Sequence, residues 1–377
     1  MHFIMTRFKS LDIFRGFTLA AMILVNNPGN YHHVFPQLEH SIWHGCTFTD
    51  LIFPFFLFAV GNSMAFSLKN IDQLAPGLYW NKIVKRTIIL FILGIFLNIF
   101  PFVEWNSLHQ LEWIPFAKYR YFGVLQRIAI CYFSTAIILY YFRDKGAAVI
   151  SIFLLLVYWP ICYFGNPADP YSLDGWFGTA LDIRLFGASH LYHGEGTAFD
   201  PEDLWSVFPA ISQTIFGYIT GKYIVQKLTG KRELIYLFIM GLFFILIGYI
   251  WSFAFPINKK IWTSSYCVFT TGIALSFLGI LIYLIEFQQH RGIFYTIFDD
   301  FGKNTLFIYC LSGLVPVVCS FILIGKTQQN LWSFSYHALF SNWQFQNLAS
   351  ALFAVLFVSL NWLIAYYLRK KNIYIKI

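Results

Sequence analysis

Charge is scarce in this chain: only 12% of its 377 residues are Asp, Glu, Lys or Arg, about half the share of a soluble globular domain. Water is therefore excluded as the main solvent of the fold. Cysteine is scarce too, and Cys46, Cys131, Cys162, Cys267, Cys310 and Cys319 form no CxxC pair and sit mostly inside apolar runs. That pattern argues against a zinc centre; buried free thiols and no metal are expected. The opening segment MHFIMTRFKSLDIFRG lacks separable basic, apolar and small-residue cleavage regions. The first apolar helix is thus expected to stay as an anchor rather than leave as a signal peptide.

Apolar residues are what the chain has in abundance: 58% are hydrophobic, 21% are aromatic, and the mean hydropathy is +0.60. About twenty apolar residues cross a hydrocarbon core. Such stretches recur near 11–28, 47–68, 85–103, 121–142, 146–164, 205–224, 234–255, 262–286, 302–324 and 347–368. The expected architecture is all-α, one polytopic membrane domain over 1–377 with about ten transmembrane helices.

Basic residues mark cytoplasmic loops. With the N-terminus inside, that side holds Arg7, Lys9, Lys82, Arg86, Lys145, Lys231, Arg369 and most other cations, and the opposite loops hold only Lys118, Arg120, Arg184, Lys259, Lys260 and Lys326. Both termini are expected in the cytoplasm. The net charge of +8 then reads as attraction to anionic membrane lipids, and no nucleic-acid partner is expected. On this topology His32, His33, His40, His44, His109, His190, His193 and His337 fall on the outer side, leaving His2 and His290 inside. The longest outer loop, about 165–204, is rich in Gly, Asp and Pro and too polar for lipid. Such a loop binds a ligand or caps a cavity.

Helix one opens Ser10-Leu11-Asp12-Ile13-Phe14-Arg15-Gly16, with Asp12 and Arg15 on one helical face. A snorkelling pair that sets helix depth is one reading. Phosphate-binding charge at a cytoplasmic mouth, shared with Arg7 and Lys9, is the other. The far end of that helix reads Val25-Asn26-Asn27-Pro28-Gly29-Asn30, and the loop beyond runs Glu39-His40-Ser41-Ile42-Trp43-His44-Gly45. Histidine takes a proton near neutral pH, and an asparagine amide can hold a tetrahedral oxyanion. A single loop histidine is more often only solvated or structural. Helix two carries Asp50, Pro54 and Gly61 within TFTDLIFPFFLFAVGNS; a carboxylate so placed must face the protein interior. Arg127 in GVLQRI, at similar depth in helix four, is its expected partner, either as a structural ion pair or as part of a site.

These residues resemble the heparan-alpha-glucosaminide N-acetyltransferase family of transmembrane acyltransferases. The resemblance rests on SLDIFRG, LVNNPGN, EHSIWHG and TDLIFPFFLFAVGNS in that order, with GVLQRI at 123–128, FDPEDLWSVFPAI at 199–211, INKKIWTSSY at 257–266 and FGKNTLFIY at 301–309. It implies an enzyme that uses cytosolic acetyl-CoA to acetylate the amino group of a terminal glucosamine across the membrane. It also implies His40 as the catalytic histidine and Asn26 as the asparagine closing helix one. His44 departs from the pattern, standing where Asn is usual, and so puts the acceptor sugar in doubt. The chain looks like the compact bacterial form, which implies the bacterial inner (cytoplasmic) membrane, and the resemblance favours a homodimer.

The donor side is accordingly assigned to Arg7, Lys9, Ser10, Asp12, Arg15, Asp50, Arg127 and Ser265, and the acceptor side to Trp43, His44, Asp200, Glu202, Asn258, Lys259 and Trp262. Direct transfer with His40 as base and a route through acetylated His40 are both open. So are N-acetylation of an amino sugar and O-acetylation of a surface glycan. A secondary transporter is the competing class, but transporters are often built from matching halves, and no repeat relates 1–190 to 190–377. A non-catalytic scaffold would leave the outer histidine loop without a role.

Overall fold

The computed structural model describes residues 8–68, 75–106, 110–324 and 329–375. Its helices are α1 (Lys9–Asn26), α2 (Phe48–Ser67), α3 (Pro76–Ile99), α4 (Val124–Gly165), α5 (Phe177–Phe186), α6 (Val207–Lys227), α7 (Lys231–Trp251), α8 (Ser264–Ile282), α9 (Ile293–Lys303), α10 (Thr305–Phe321), α11 (Leu331–Phe340) and α12 (Gln346–Lys370). Two small antiparallel ribbons pair β1 (Val103–Trp105) with β2 (Leu111–Trp113) and β3 (Leu323–Ile324) with β4 (Gln329–Asn330).

Every stretch expected to span is helical, but helix existence and membrane crossing are different claims. Among the described residues, five helices are long and apolar enough to cross a membrane, or six if α9 and α10, bent by 88°, form one span. The stretches expected near 121–142 and 146–164 both lie in α4, whose 42 residues break between them at Arg143 (φ 57, ψ −167). α1 falls outside the group because Lys9, Asp12 and Arg15 share its 18 residues. Ten crossings therefore exceed what length and apolarity alone establish. The bilayer character is nonetheless plain on α7, whose Ile239, Leu242, Phe243, Leu246 and Ile250 are exposed, as on a helix solvated by lipid tails.

Close helix approach centres the bundle on α1 and α2. A Cβ at Gly16 would lie 1.7 Å from the Phe298 carbonyl oxygen, and one at Gly302 would lie 2.0 Å from that of Asp12. The backbones of α1 and α9 touch there, as small residues permit between membrane helices. Gly61 of α2 and Gly217 of α6 act alike, with hypothetical Cβ atoms 1.9 Å from the Thr214 carbonyl oxygen and 2.1 Å from that of Phe58. An alanine at any of these positions would force the pair apart.

The long polar segment after α4 is a folded cap rather than an open loop. It contains α5, and it buries Trp176 and Phe199 against Tyr158, Phe255 and Ile261. Burying these aromatics holds the cap over the end of the bundle where α1 finishes.

Candidate functional site

At the start of α2, Thr47 and Asp50 form a capping box, with the Thr47 amide donating to Asp50 Oδ2 at 3.0 Å. The Ser41 amide (3.0 Å) and the Thr47 hydroxyl (3.1 Å) donate to the same oxygen. Asp50 Oδ1 is left for His40, whose Nδ1 stands 2.7 Å away. A carboxylate only accepts, so Nδ1 carries a proton, and in the neutral ring the lone pair is on Nε2. Asp50 is fully buried and His40 is about half exposed, at 1% and 47% of the side chain. The result is an oriented, half-exposed imidazole, the arrangement of a general base.

The chain around this pair is held tightly. Gly45 adopts φ +115, a left-handed conformation that favours glycine, and its amide donates to the Ile257 carbonyl at 2.8 Å. That bond ties the histidine loop to the turn before α8. In this turn Asn258 is buried, its Oδ1 accepts from the Ile261 amide at 3.1 Å, and its Nδ2 stands 3.3 Å from His44 Nδ1. Burial draws His44 below the ordinary imidazole value. Lys259 Nζ lies 3.2 Å from both ring nitrogens of His40.

His40 and Asp50 line a cavity of about 240 Å³ together with Asn26, Lys259, Lys260, Arg120, Glu195 and Glu202. Met22 and Val124 also belong to its wall and to that of a second cavity, of about 360 Å³. That second cavity shares Arg15, Ser63, Ser67 and Lys303 with a third, of about 530 Å³. Adjoining cavities thus follow α1 from Arg15 to Asn26, about 16 Å at 1.5 Å per residue.

The Arg15 end differs in kind. Arg15 pairs with Asp12, donates to Ser63 Oγ at 3.0 Å, and stands 3.5 Å from the Gly302 carbonyl oxygen. Lys303 and Asn62 complete that wall, and Arg86 reaches the middle cavity. Cations, hydroxyls and amides there, followed by apolar walls of Phe56, Leu90 and Leu306, suit a ligand with an anionic head and a long thin arm.

Other expected site residues take different places. Asp50 pairs with His40, not with Arg127. Arg127 instead donates to the Asp203 carbonyl at 3.1 Å and to Ser206, and stacks 5.1 Å from the Trp262 ring. Depth brought Asp50 and Arg127 to one level, but rotation about the helix axes set their partners. Arg127 and Ser265 are fully buried and line no cavity described above; Ser265 donates to the Phe255 carbonyl at 2.5 Å. Ser10 is buried, with its amide on Glu286 at 3.0 Å, and Lys9 is exposed away from the Arg15 cavity. Arg7 lies outside the described residues.

On the acceptor side, Asp200 and Glu202 clamp Arg120. Its Nε and Nη2 donate to Asp200 at 2.8 and 2.6 Å, and Nη2 donates to Glu202 at 2.6 Å. Glu202 still lines the cavity, whereas Asp200 is buried behind it. Burial works to raise the Glu202 carboxyl, but Arg120 holds it below the usual range. Trp262 is buried against Phe53 and Tyr266 and offers no open face. Trp43 is half-buried, with its indole N–H on the Tyr171 carbonyl at 2.6 Å and Lys260 Nζ 5.7 Å from its ring.

Sequence reasoning missed Arg120, Glu195 and Lys260 at the His40 end and Arg86 and Lys303 at the Arg15 end. Lys303 sits in the FGKNTLFIY motif, which was the available signal. The outer cations carried one too, being rare charges on a basic-poor side.

The fold and site define a helical membrane protein with a cation-lined cavity at one end of α1 and a His–Asp pair at the other. Residues 7–245 match the family model described as heparan-alpha-glucosaminide N-acetyltransferase, catalytic, and the chain belongs to that family. Among curated proteins it is similar to the mouse heparan-alpha-glucosaminide N-acetyltransferase, 28% identical over 80% of this chain and 53% of the relative. The human protein of the same name is 25% identical over 80% of this chain and 52% of its own length. The chain thus spans about half the length of the curated relatives it matches.

Proposed function

We propose that the chain is a membrane acetyltransferase that passes acetyl from acetyl-CoA to the amino group of a glucosamine-type sugar. The donor nucleotide is held at the Arg15 end by Arg15, Lys303 and Arg86, and its arm follows α1 toward Asn26. The acceptor occupies the 240 Å³ cavity between His40, Glu202, Lys259 and Tyr192. As the amine nitrogen attacks the thioester carbonyl, His40 Nε2 takes the amine proton. The C–N bond forms, the Asn26 amide donates to the oxyanion, and the C–S bond breaks to release the thiolate.

On this reading the chain crosses the membrane about ten times with both termini cytoplasmic, and the His40 end faces outward, as in the bacterial inner membrane. The observation that carries the proposal is the His40–Asp50 pair in a cavity that adjoins, wall to wall, the cavities leading to Arg15. Family membership and the names of the relatives add the acyl donor and the sugar. The test incubates the purified chain with labelled acetyl-CoA and a panel of amino sugars and glycans. Label on an amide nitrogen is expected. Label on hydroxyls only, or none, overturns the reading.

A further inference from the structure

The Asp50–His40 pair has a third member. Lys259, in the turn between α7 and α8, places Nζ 3.2 Å from both Nδ1 and Nε2 of His40. Its backbone is fixed by the turn itself, since its carbonyl accepts from the Trp262 amide at 3.1 Å while Asn258 closes onto Thr263. Trp262 adopts φ 45 in that turn, so the position of Lys259 is held by a strained, buried anchor rather than by a free loop.

From this geometry we infer that Lys259 is a positioning residue that keeps the His40 ring free of a second proton. The inference rests on the acetyltransferase reading above. A base works only while its lone pair carries no proton. Asp50, hydrogen-bonded to Nδ1, favours the imidazolium; an ammonium at 3.2 Å disfavours it, because two cations would then touch. The remaining charged groups facing His40 across the cavity are Arg120, Lys260, Glu195 and Glu202. Arg120 is clamped by carboxylates and Lys260 is paired with Glu195 at 2.5 Å, which leaves Lys259 as the cation nearest the ring. Burial draws the Lys259 ammonium below the ordinary lysine value, and the Asp50 and Glu202 carboxylates oppose that. Asp50 thus orients the ring while the Lys259 charge, 3.2 Å away, opposes a second cation there.

The experiment compares the full-length wild-type chain with Lys259→Met, Lys259→Gln and Lys259→Arg in detergent. Two readouts are taken: hydrogen–deuterium exchange at the His40 ring carbon against pH without substrate, and the acid limb of kcat/KM for acetyl transfer. Removing the neighbouring charge in Lys259→Met is expected to move both midpoints up by about one pH unit or more, whereas Lys259→Arg stays near wild type. Lys259→Gln gives the same answer should the methionine variant fail to fold. If both neutral variants titrate like wild type, or lose rate by one factor at every pH, the inference is overturned and Lys259 only contacts the acceptor. Absence of transfer by the wild-type chain sinks the acetyltransferase reading instead, and the exchange midpoints still decide the charge effect.

Discussion

The two ends of α1 are built for different tasks. Around Arg15 cations predominate: Arg15, paired with Asp12, Lys303, paired with Asp299, and, further in, Arg86, beside the hydroxyls of Ser63 and Ser67. Around His40 charges of both signs meet, and two titratable groups, His40 and Lys259, touch each other. One end can hold an anion; the other can move a proton. A single helix of 18 residues spaces these functions, which is why damage at either end should separate cleanly in a kinetic experiment.

The sharpest way to break this comparison is His40→Ala. Losing a general base typically costs about a hundredfold to ten-thousandfold in rate, so acetyl transfer should nearly vanish while acetyl-CoA binding, measured by calorimetry, is unchanged. His44→Ala should cost far less. Asp50→Asn comes next. The amide can present its N–H to His40 Nδ1 and turn the ring to the wrong tautomer, so transfer should fall about a hundredfold or more, again with donor affinity intact.

At the other end, Arg15→Ala should weaken acetyl-CoA binding about tenfold through the loss of a charged contact and leave the rate at saturating donor near wild type. If Arg15→Ala lowers the saturated rate without touching donor affinity, the division of labour along α1 is wrong.

How far the sequence exposed this arrangement depends on distance along the chain. That His40 and Asn26 share one cavity was legible because a short loop joins them and a family motif surrounds them. The Asp50 partner was not. Hydropathy gives depth in the membrane but not rotation about the helix axis, and Asp50 closes a local capping box with its own loop instead of reaching α4. Asp200 and Glu202 read as free acceptor ligands because nothing nearby marks Arg120, 80 residues earlier, as the cation they clamp. The break of α4 at Arg143 was legible, because Arg143, Asp144 and Lys145 interrupt the apolar run between the stretches expected near 121–142 and 146–164.

The smallest expected effect concerns the cap. Burial pushes the carboxyls of Asp182 and Asp203 above their ordinary range; the Asp203 charge adds to the rise at Asp182, and the Asp200 charge to that at Asp203. The folded chain therefore holds protons that the unfolded chain releases. This contribution to stability is full below the ordinary carboxyl value and is lost as pH rises through the raised ones. The melting temperature should fall by a few degrees from mildly acidic to alkaline pH, and Asp182→Asn should flatten that slope; a slope unchanged by the substitution would contradict the assignment.

The central claim, that one chain joins a donor site at Arg15 to a base at His40 across a bilayer, is tested most directly in sealed proteoliposomes. Chains oriented with the Arg15 end outward receive labelled acetyl-CoA outside, with the amino sugar trapped inside. The account predicts labelled N-acetyl sugar in the lumen, lost with His40→Ala and restored toward wild type in Arg15→Ala by excess donor. Product that forms only when donor and acceptor share one compartment would contradict it.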